Sequence, residues 1–307
     1  MKQPHFSESV YADKNVLLEM KKKAQMFSLA KNRLRADVGF GETASLFKTK
    51  GLDFQEVRVY QPGDDIRLID WKITAKHNKP FTKLYTDEKE RQVFLIVDMR
   101  SSMKFATTGV FKSVLTAECS SLISFLAENK KDKVGFCVIS DNQVECTLPQ
   151  SGKEAPLALI DVLDKTGQVA ETFENIKTDF YQALLQSEKF IRRGALVFVL
   201  SDFSDFDESC ETIIKRMARR SACSLIHIYD KLEKVFPKGV FPISNGEDIL
   251  LLNTKQTDFQ KKYNALFQET LNKLHLLAKS ENIGYLPLET DSDYLNRLIM
   301  YCKGGIV

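Results

Sequence analysis

From residue 92 to the C-terminus, short uninterrupted apolar runs alternate with segments of helical periodicity, and this alternation limits the fold more than any other feature of the sequence. Gln92–Val97, Lys133–Ser140, Ala195–Leu200 and Cys223–Tyr229 each read as a strand covered on both faces. Between them, helical spacing of apolar residues predicts helices near 110–129, 154–164, 178–192 and 207–220. Val144–Leu148 follows Asp141 and Asn142 and is expected to pair back as a hairpin. A Pro/Gly-punctuated stretch at 232–258 reads as a surface hairpin. A helix near 259–281, a strand at Ile283–Pro287 and a short closing helix complete the pattern. Strand–helix alternation of this length implies an α/β fold: a doubly wound, mostly parallel sheet with helices on both faces.

The first 90 residues read differently. Asp13 can cap a helix running to Leu34, with Leu17, Met20, Ala24 and Phe27 on one face. The Gly39–Gly41 pair lacks both a preceding strand and a third glycine, so it is no phosphate loop. Residues 52–60 and 81–87 read as extended and flank a dense polar segment with a turn at Pro62 and Gly63. The expected division is therefore 1–90, an N-terminal helix plus β extension, and 91–307, the α/β domain.

Composition removes several classes of function. Lys and Arg number 44 against 41 Asp and Glu, a net charge of +3, with no segregated basic face beyond Lys21, Lys22 and Lys23. A nucleic-acid partner is not expected. No window approaches the roughly 20 apolar residues that cross a bilayer. The opening residues lack an apolar signal core, so a cytoplasmic location is expected. Six cysteines (Cys119, Cys137, Cys146, Cys210, Cys223 and Cys302) sit singly and are expected as thiols in a reducing compartment.

In a doubly wound sheet, sites form beyond the carboxyl ends of the strands. Asp98, Met99, Arg100, Ser101 and Ser102 follow the first apolar strand; Ser201 and Asp202 follow a later one; Thr178 opens a helix between them. If the strands are neighbours, Asp98, Ser102, Thr178 and Asp202 converge. All are hard oxygen donors, a set that suits Mg2+. Asp-x-Ser-x-Ser, then Thr, then Asp resembles the metal-ion-dependent adhesion site of von Willebrand factor A domains. The polar segment, with Glu56, Arg58, Tyr60, Gly63, Asp64, Asp65, Arg67, Asp70 and Trp71, is similar to the signature of the DUF58 family. These are bacterial proteins with a von Willebrand A-like core, often encoded beside MoxR-type AAA+ ATPases. Asp230, Glu233, Phe236 and Pro237 fit that family too, and the likeness runs from about Gly39 to the C-terminus.

The resemblance implies a protein-interaction adaptor that works with a MoxR-type ATPase in assembling or activating complexes, through a metal-binding edge. One residue departs from the motif: Arg100 stands where the first serine belongs, and a guanidinium cannot ligate Mg2+. Three arrangements are open. Arg100 points outward and a weakened ion stays on Asp98, Ser102, Thr178 and Asp202; Ser101 substitutes; or Arg100 turns inward and pairs with Asp98 and Asp202 in place of the ion. In the polar segment, Asp64 and Asp65 are expected to cap a short helix, Arg67 to pair with Asp70, and Trp71 to anchor on the core. The other reading of that segment is a recognition surface. A metal-dependent hydrolase using Asp98 and Asp202, or an inert metal-free scaffold, are the competing functions. The chain has no Walker A motif and no nucleophile elbow.

Overall fold

The structure is a computed structural model that describes residues 10–37, 53–77, 79–86, 91–168, 178–244, 249–254 and 257–304. The Gly39–Gly41 pair lies outside the described residues. The chain divides into two compact units, one formed by residues 1–47 with 91–307 and the other by residues 48–90.

The larger unit holds α1 (Lys14–Asp37), β3 (Gln92–Asp98), α3 (Lys112–Asn129), β4 (Lys133–Ile139), β5 (Val144–Gln150) and α4 (Glu154–Gln168). It continues with α5 (Phe180–Glu188), β6 (Leu196–Ser201), α6 (Glu208–Ala218), β7 (Ala222–Tyr229) and the one-turn α7 (Lys231–Lys234). The hairpin β8 (Val240–Ser244) and β9 (Ile249–Asn253) precedes α8 (Thr257–Ser280), β10 (Gly284–Glu289) and α9 (Tyr294–Cys302). The smaller unit holds β1 (Asp53–Val59), α2 (Trp71–His77) and β2 (Phe81–Thr86).

Six strands form one sheet in the order β10-β7-β6-β3-β4-β5. β5 alone is antiparallel to its neighbour. Successive side chains of a strand face opposite ways, and the burial follows. Val93, Leu95 and Val97 enter one core with residues of α1, α3, α4 and α9. Phe94 and Ile96 enter the other with residues of α5, α6 and α8. The sheet is thus covered on both faces, as the continuous apolar runs imply. β3 has β4 on one side and β6 on the other, so the connection reverses direction beside it. That reversal opens a crevice at the carboxyl ends of β3 and β6.

Three expectations are corrected. The α1 helix packs on α3 and α4 of the α/β unit rather than joining the β extension in a 1–90 segment. Its buried face (Leu17, Met20 and Ala24) needs an apolar partner, which α3 and α4 supply. The cysteines are not all thiols. Cys137 and Cys146 sit opposite each other across β4 and β5, with Cα atoms 4.0 Å apart, and form a disulfide. An inference from compartment could not see the strand register that brings them together. Cys119, Cys210, Cys223 and Cys302 are buried and form no disulfide.

The third correction lies in the smaller unit. Asp65 caps the 3-10 turn Ile66–Leu68 by accepting from the Arg67 amide (2.9 Å), and Asp70 caps α2 through the Lys72 and Ile73 amides. Asp64 instead accepts from the Arg58 guanidinium (2.7 Å) and the Gln61 amide. Arg67 pairs with Asp65, not Asp70. Trp71 is 66% exposed rather than anchored. Short carboxylates beside a turn bond the nearest amides first, which orders the segment locally without an apolar anchor.

Iodoacetamide labelling of denatured, unreduced protein is expected to modify four cysteines, and six after reduction. Six under both conditions would remove the Cys137–Cys146 bond from the account.

Candidate functional site

Asp98 is the last residue of β3, and Asp202 follows the last residue of β6, so both carboxylates stand at the carboxyl edge of the sheet beside the crevice. Both are buried. Buried carboxylates need cations and hydrogen-bond donors, and here the chain itself provides them.

Arg100 turns inward. Its Nε donates to Asp98 Oδ1 (2.9 Å) and its Nη2 to Asp98 Oδ2 (2.8 Å), a fork on a fork. The outer side of the guanidinium donates to Asp205, from Nη1 at 2.5 Å and Nη2 at 2.9 Å. The Ser201 hydroxyl donates to Asp98 Oδ2 (2.7 Å) and accepts from the Phe203 amide (3.0 Å). The guanidinium also lies 5.1 Å from the centre of the Phe180 ring, within cation–π range.

Asp202 has a cation of its own. Lys112, in the first turn of α3, is buried, and its Nζ donates to Asp202 Oδ2 (2.8 Å) and Glu233 Oε1 (2.5 Å). Asp202 Oδ1 accepts from the Ser204 amide. Glu233 Oε2 accepts from the Asp230 amide, closing a capping box on α7. Asp230 accepts from the Thr107 amide and hydroxyl, the Leu232 amide and the Thr290 hydroxyl. One carboxylate thereby fixes the loop after β3, the turn after β7 and the end of β10. A further carboxylate, Asp141 in the β4–β5 turn, accepts from the Ser101 amide (2.8 Å) and hydroxyl (2.5 Å), and the Asp141 backbone carbonyl accepts from the Thr178 amide.

These pairings set the charges. Burial works against the Arg100 and Lys112 cations, but the facing carboxylates outweigh it, and both are held above their ordinary values. Asp202 is lowered because Lys112 outweighs its burial. Asp98 and Glu233 are raised by burial, against the pull of Arg100 and Lys112 respectively. Behind Asp202, the buried His227 ring is bonded to the Tyr285 hydroxyl (2.9 Å) and is pushed down from 6.5 to about 4, chiefly by burial. Phe203 adopts φ +52° next to Asp202, a conformation costly for a bulky residue and found most often at functional sites. It is held by edge-on contacts with Phe180, Phe206 and His227.

Of the expected metal ligands, the structure brings Asp98 and Asp202 to one edge, and the Asp141 turn ties the Ser101 loop to Thr178. The donor set does not fit Mg2+. Both oxygens of Asp98 are bonded to Arg100, and Asp202 is bonded to Lys112. The Ser102 hydroxyl, buried and without a hydrogen-bond partner among the described residues, is a single neutral donor. No group of three or more His, Cys, Asp and Glu spaced for an ion occurs among the described residues. Arg100 pairs with Asp98 and Asp205, not with Asp98 and Asp202, because Lys112 already occupies Asp202. Sequence reading missed Lys112 as a site residue. Its only signal is a lysine in the apolar-periodic first turn of the helix after the site loop.

Comparison with known proteins finds one family model, described as "Protein of unknown function DUF58", matching residues 56–272. An uncharacterized protein of Mycobacterium tuberculosis, Rv1480, is 24% identical over 163 residues, covering 53% of this chain and 50% of that protein. The uncharacterized protein YeaD of Bacillus subtilis is 26% identical over 111 residues, 34% of this chain and 28% of that one. The chain thus spans half or less of the length of these relatives. Among solved structures, BatB of Bacteroides thetaiotaomicron covers 69% of this chain and 96% of its own at 14% identity and a TM-score of 0.41. An aerotolerance-related membrane protein of Bacteroides fragilis covers 70% and 98% at 14% identity and 0.44. The von Willebrand A domain of SpRpn10 covers 71% and 100% at 11% identity and 0.37.

The His227 ring binds its proton more weakly when folded than when unfolded. Its contribution to stability is therefore complete above pH 6.5 and lost as pH falls toward 4. Relative to a His227→Gln variant, the wild type should lose up to about 3 kcal/mol across that window in denaturant titrations. Parallel pH curves for the two proteins would contradict this.

Proposed function

The chain belongs to the DUF58 family, whose function is unknown, and from that premise we propose that it is a non-enzymatic protein-interaction adaptor with a von Willebrand A-like binding edge that needs no divalent ion. The observation that carries this reading is the pairing of Asp98 with Arg100 and of Asp202 with Lys112. In an adhesion site of the resembled type, a bound ion offers its open position to a partner carboxylate. Here the two positions are filled by tethered cations, so partner recognition falls to the surrounding loops. These are the loop at 100–110, the Asp141 turn and the segment at 230–237.

The same pairing weighs against the hydrolase reading, because a metal-activated water or a general base needs a carboxylate that is not already held by a cation. The mechanism that remains is positional. Asp98 and Arg100 lock the loop after β3 to the loop after β6 through Asp205, and Lys112 locks α3 to both the β6 loop and α7. The edge is thereby presented as one pre-ordered surface, which lowers the entropy cost of binding.

The partner proposed is a MoxR-type AAA+ ATPase, and the setting proposed is the cytoplasm. No helix among the described residues is long and apolar enough to cross a membrane. The adaptor supplies no ATPase motif of its own, so energy for remodelling a client comes from the partner.

Two measurements test this. The immobilised chain should retain a MoxR-type ATPase from lysate of the source cell equally with and without EDTA; loss of the ATPase with EDTA would sink the ion-independent reading. Calorimetric titration of the wild type with MgCl2 or MnCl2 should give no binding heat, and Arg100→Ser, which frees Asp98, should gain it. Tight wild-type binding would contradict the assignment of Arg100 as the resident cation.

A further inference from the structure

Beside the filled edge, and sharing Glu233 with it, lies an open cavity of about 1120 Å3. Its walls come from three places: the loop after β3 (Phe105), the turn after β7 (Leu232, Val235, Phe236) and the β8 and α8 elements (Phe241, Tyr263). Phe236 packs edge-on against both Phe241 and Tyr263, with ring centres 5.6 and 5.2 Å apart, so the aromatic wall is built and not collapsed. Phe105 is 38% exposed and Val235 55% exposed at the opening. Apolar groups left facing water around a concave surface mark an interaction site.

The charges at the rim are not balanced. Lys231 and Lys234, three residues apart on α7, are exposed, and no carboxylate pairs with either among the described residues. Of the two carboxylates on the lining, Glu233 is committed to Lys112 and to the Asp230 amide. Glu289 accepts from the Tyr229 hydroxyl at the long distance of 3.5 Å and lies at the end of β10. With Lys231 and Lys234 set against Glu289, the uncommitted charge next to the aromatic wall is net positive. The volume exceeds the range of about 300–1,000 Å3 usual for small-molecule sites and has room for several side chains of a peptide.

We propose that this cavity is the docking site for a short segment of a partner protein that carries leucine or phenylalanine side chains next to aspartate or glutamate. The apolar side chains enter the wall formed by Phe105, Phe236, Phe241 and Tyr263, and the acidic groups meet Lys231 and Lys234. The inference rests on the adaptor reading and deepens it, by placing partner contact beside the tethered cations and not on them.

The test uses the full chain and a fluorescein-labelled octapeptide that alternates aspartate with leucine and phenylalanine. Two matched peptides replace aspartate by lysine, or leucine and phenylalanine by serine. Fluorescence anisotropy should show binding of the acidic apolar peptide, roughly tenfold or more weaker for either matched peptide. The double substitution Lys231→Glu with Lys234→Glu, at exposed positions that leave folding intact, should abolish that preference and favour the lysine peptide. Phe105→Ser should weaken the acidic peptide without reversing the preference. Equal binding of all three peptides, no binding of any, or an acidic-peptide affinity unchanged by the lysine substitutions would each overturn the proposal. Sodium dodecanoate that binds tightly and blocks the peptide only in wild type would also overturn it, by making the cavity a site for a small amphiphile. Because these probes are synthetic, a chain that binds the acidic peptide but retains no ATPase keeps this inference and sinks the adaptor's proposed partner; the reverse outcome does the opposite.

Discussion

Two cations that the chain carries itself hold the carboxyl edge of the sheet together. A doubly wound sheet gathers carboxylates at the ends of its central strands, and this one buries Asp98 and Asp202 there. Buried and unpaired, each would cost several kcal/mol. Arg100 takes both oxygens of Asp98 and reaches Asp205; Lys112 takes Asp202 and Glu233. The loops after β3, β6 and β7 all end on one of these cations, so the shape of the edge follows from charge compensation as much as from the apolar core beneath it.

The strands were legible because their signal is physical and local. A run such as Val93–Val97 has no polar face, as a strand covered on both sides requires; the observed β3 differs from the expected Gln92–Val97 by a single residue at its end. The hairpin of β4 and β5 was legible from its turn. The register was not, and with it went the Cys137–Cys146 pairing, since a one-residue slip would turn the two thiols to opposite faces. The site was half legible. Asp98 and Asp202 announce themselves by following apolar strands. The choice between an outward and an inward Arg100 depends on Asp205 and Lys112, whose positions are set by packing and not by spacing. Trp71 misled for a related reason: an aromatic in a polar segment reads as an anchor, yet Asp64, Asp65 and Asp70 order that segment through nearby backbone amides, with Arg58 and Arg67 paired to Asp64 and Asp65.

An ion-dependent edge can be switched by removing the ion, whereas a tethered guanidinium and ammonium cannot be removed. On the proposed adaptor reading, recognition of a partner on such an edge is therefore constitutive. On that reading its specificity comes from neighbouring relief such as the aromatic wall of Phe236, Phe241 and Tyr263. Glu233 links the two features: one oxygen faces Lys112, and the other holds the first turn of α7, which carries Lys231 and Lys234. Anything that disturbs the Lys112 pairing would be felt at that rim.

The most direct measurement of the central claim is a double-mutant cycle on Asp98→Asn and Arg100→Met, with stability read from urea unfolding. If the guanidinium is the resident counter-ion of Asp98, Arg100→Met alone should destabilise by about 3–5 kcal/mol, because it strands a buried carboxylate. The double variant should then recover part of that loss, with a coupling of roughly 2 kcal/mol or more. Additive effects of the two substitutions, within about 0.5 kcal/mol, would mean that Arg100 does not neutralise Asp98 in solution.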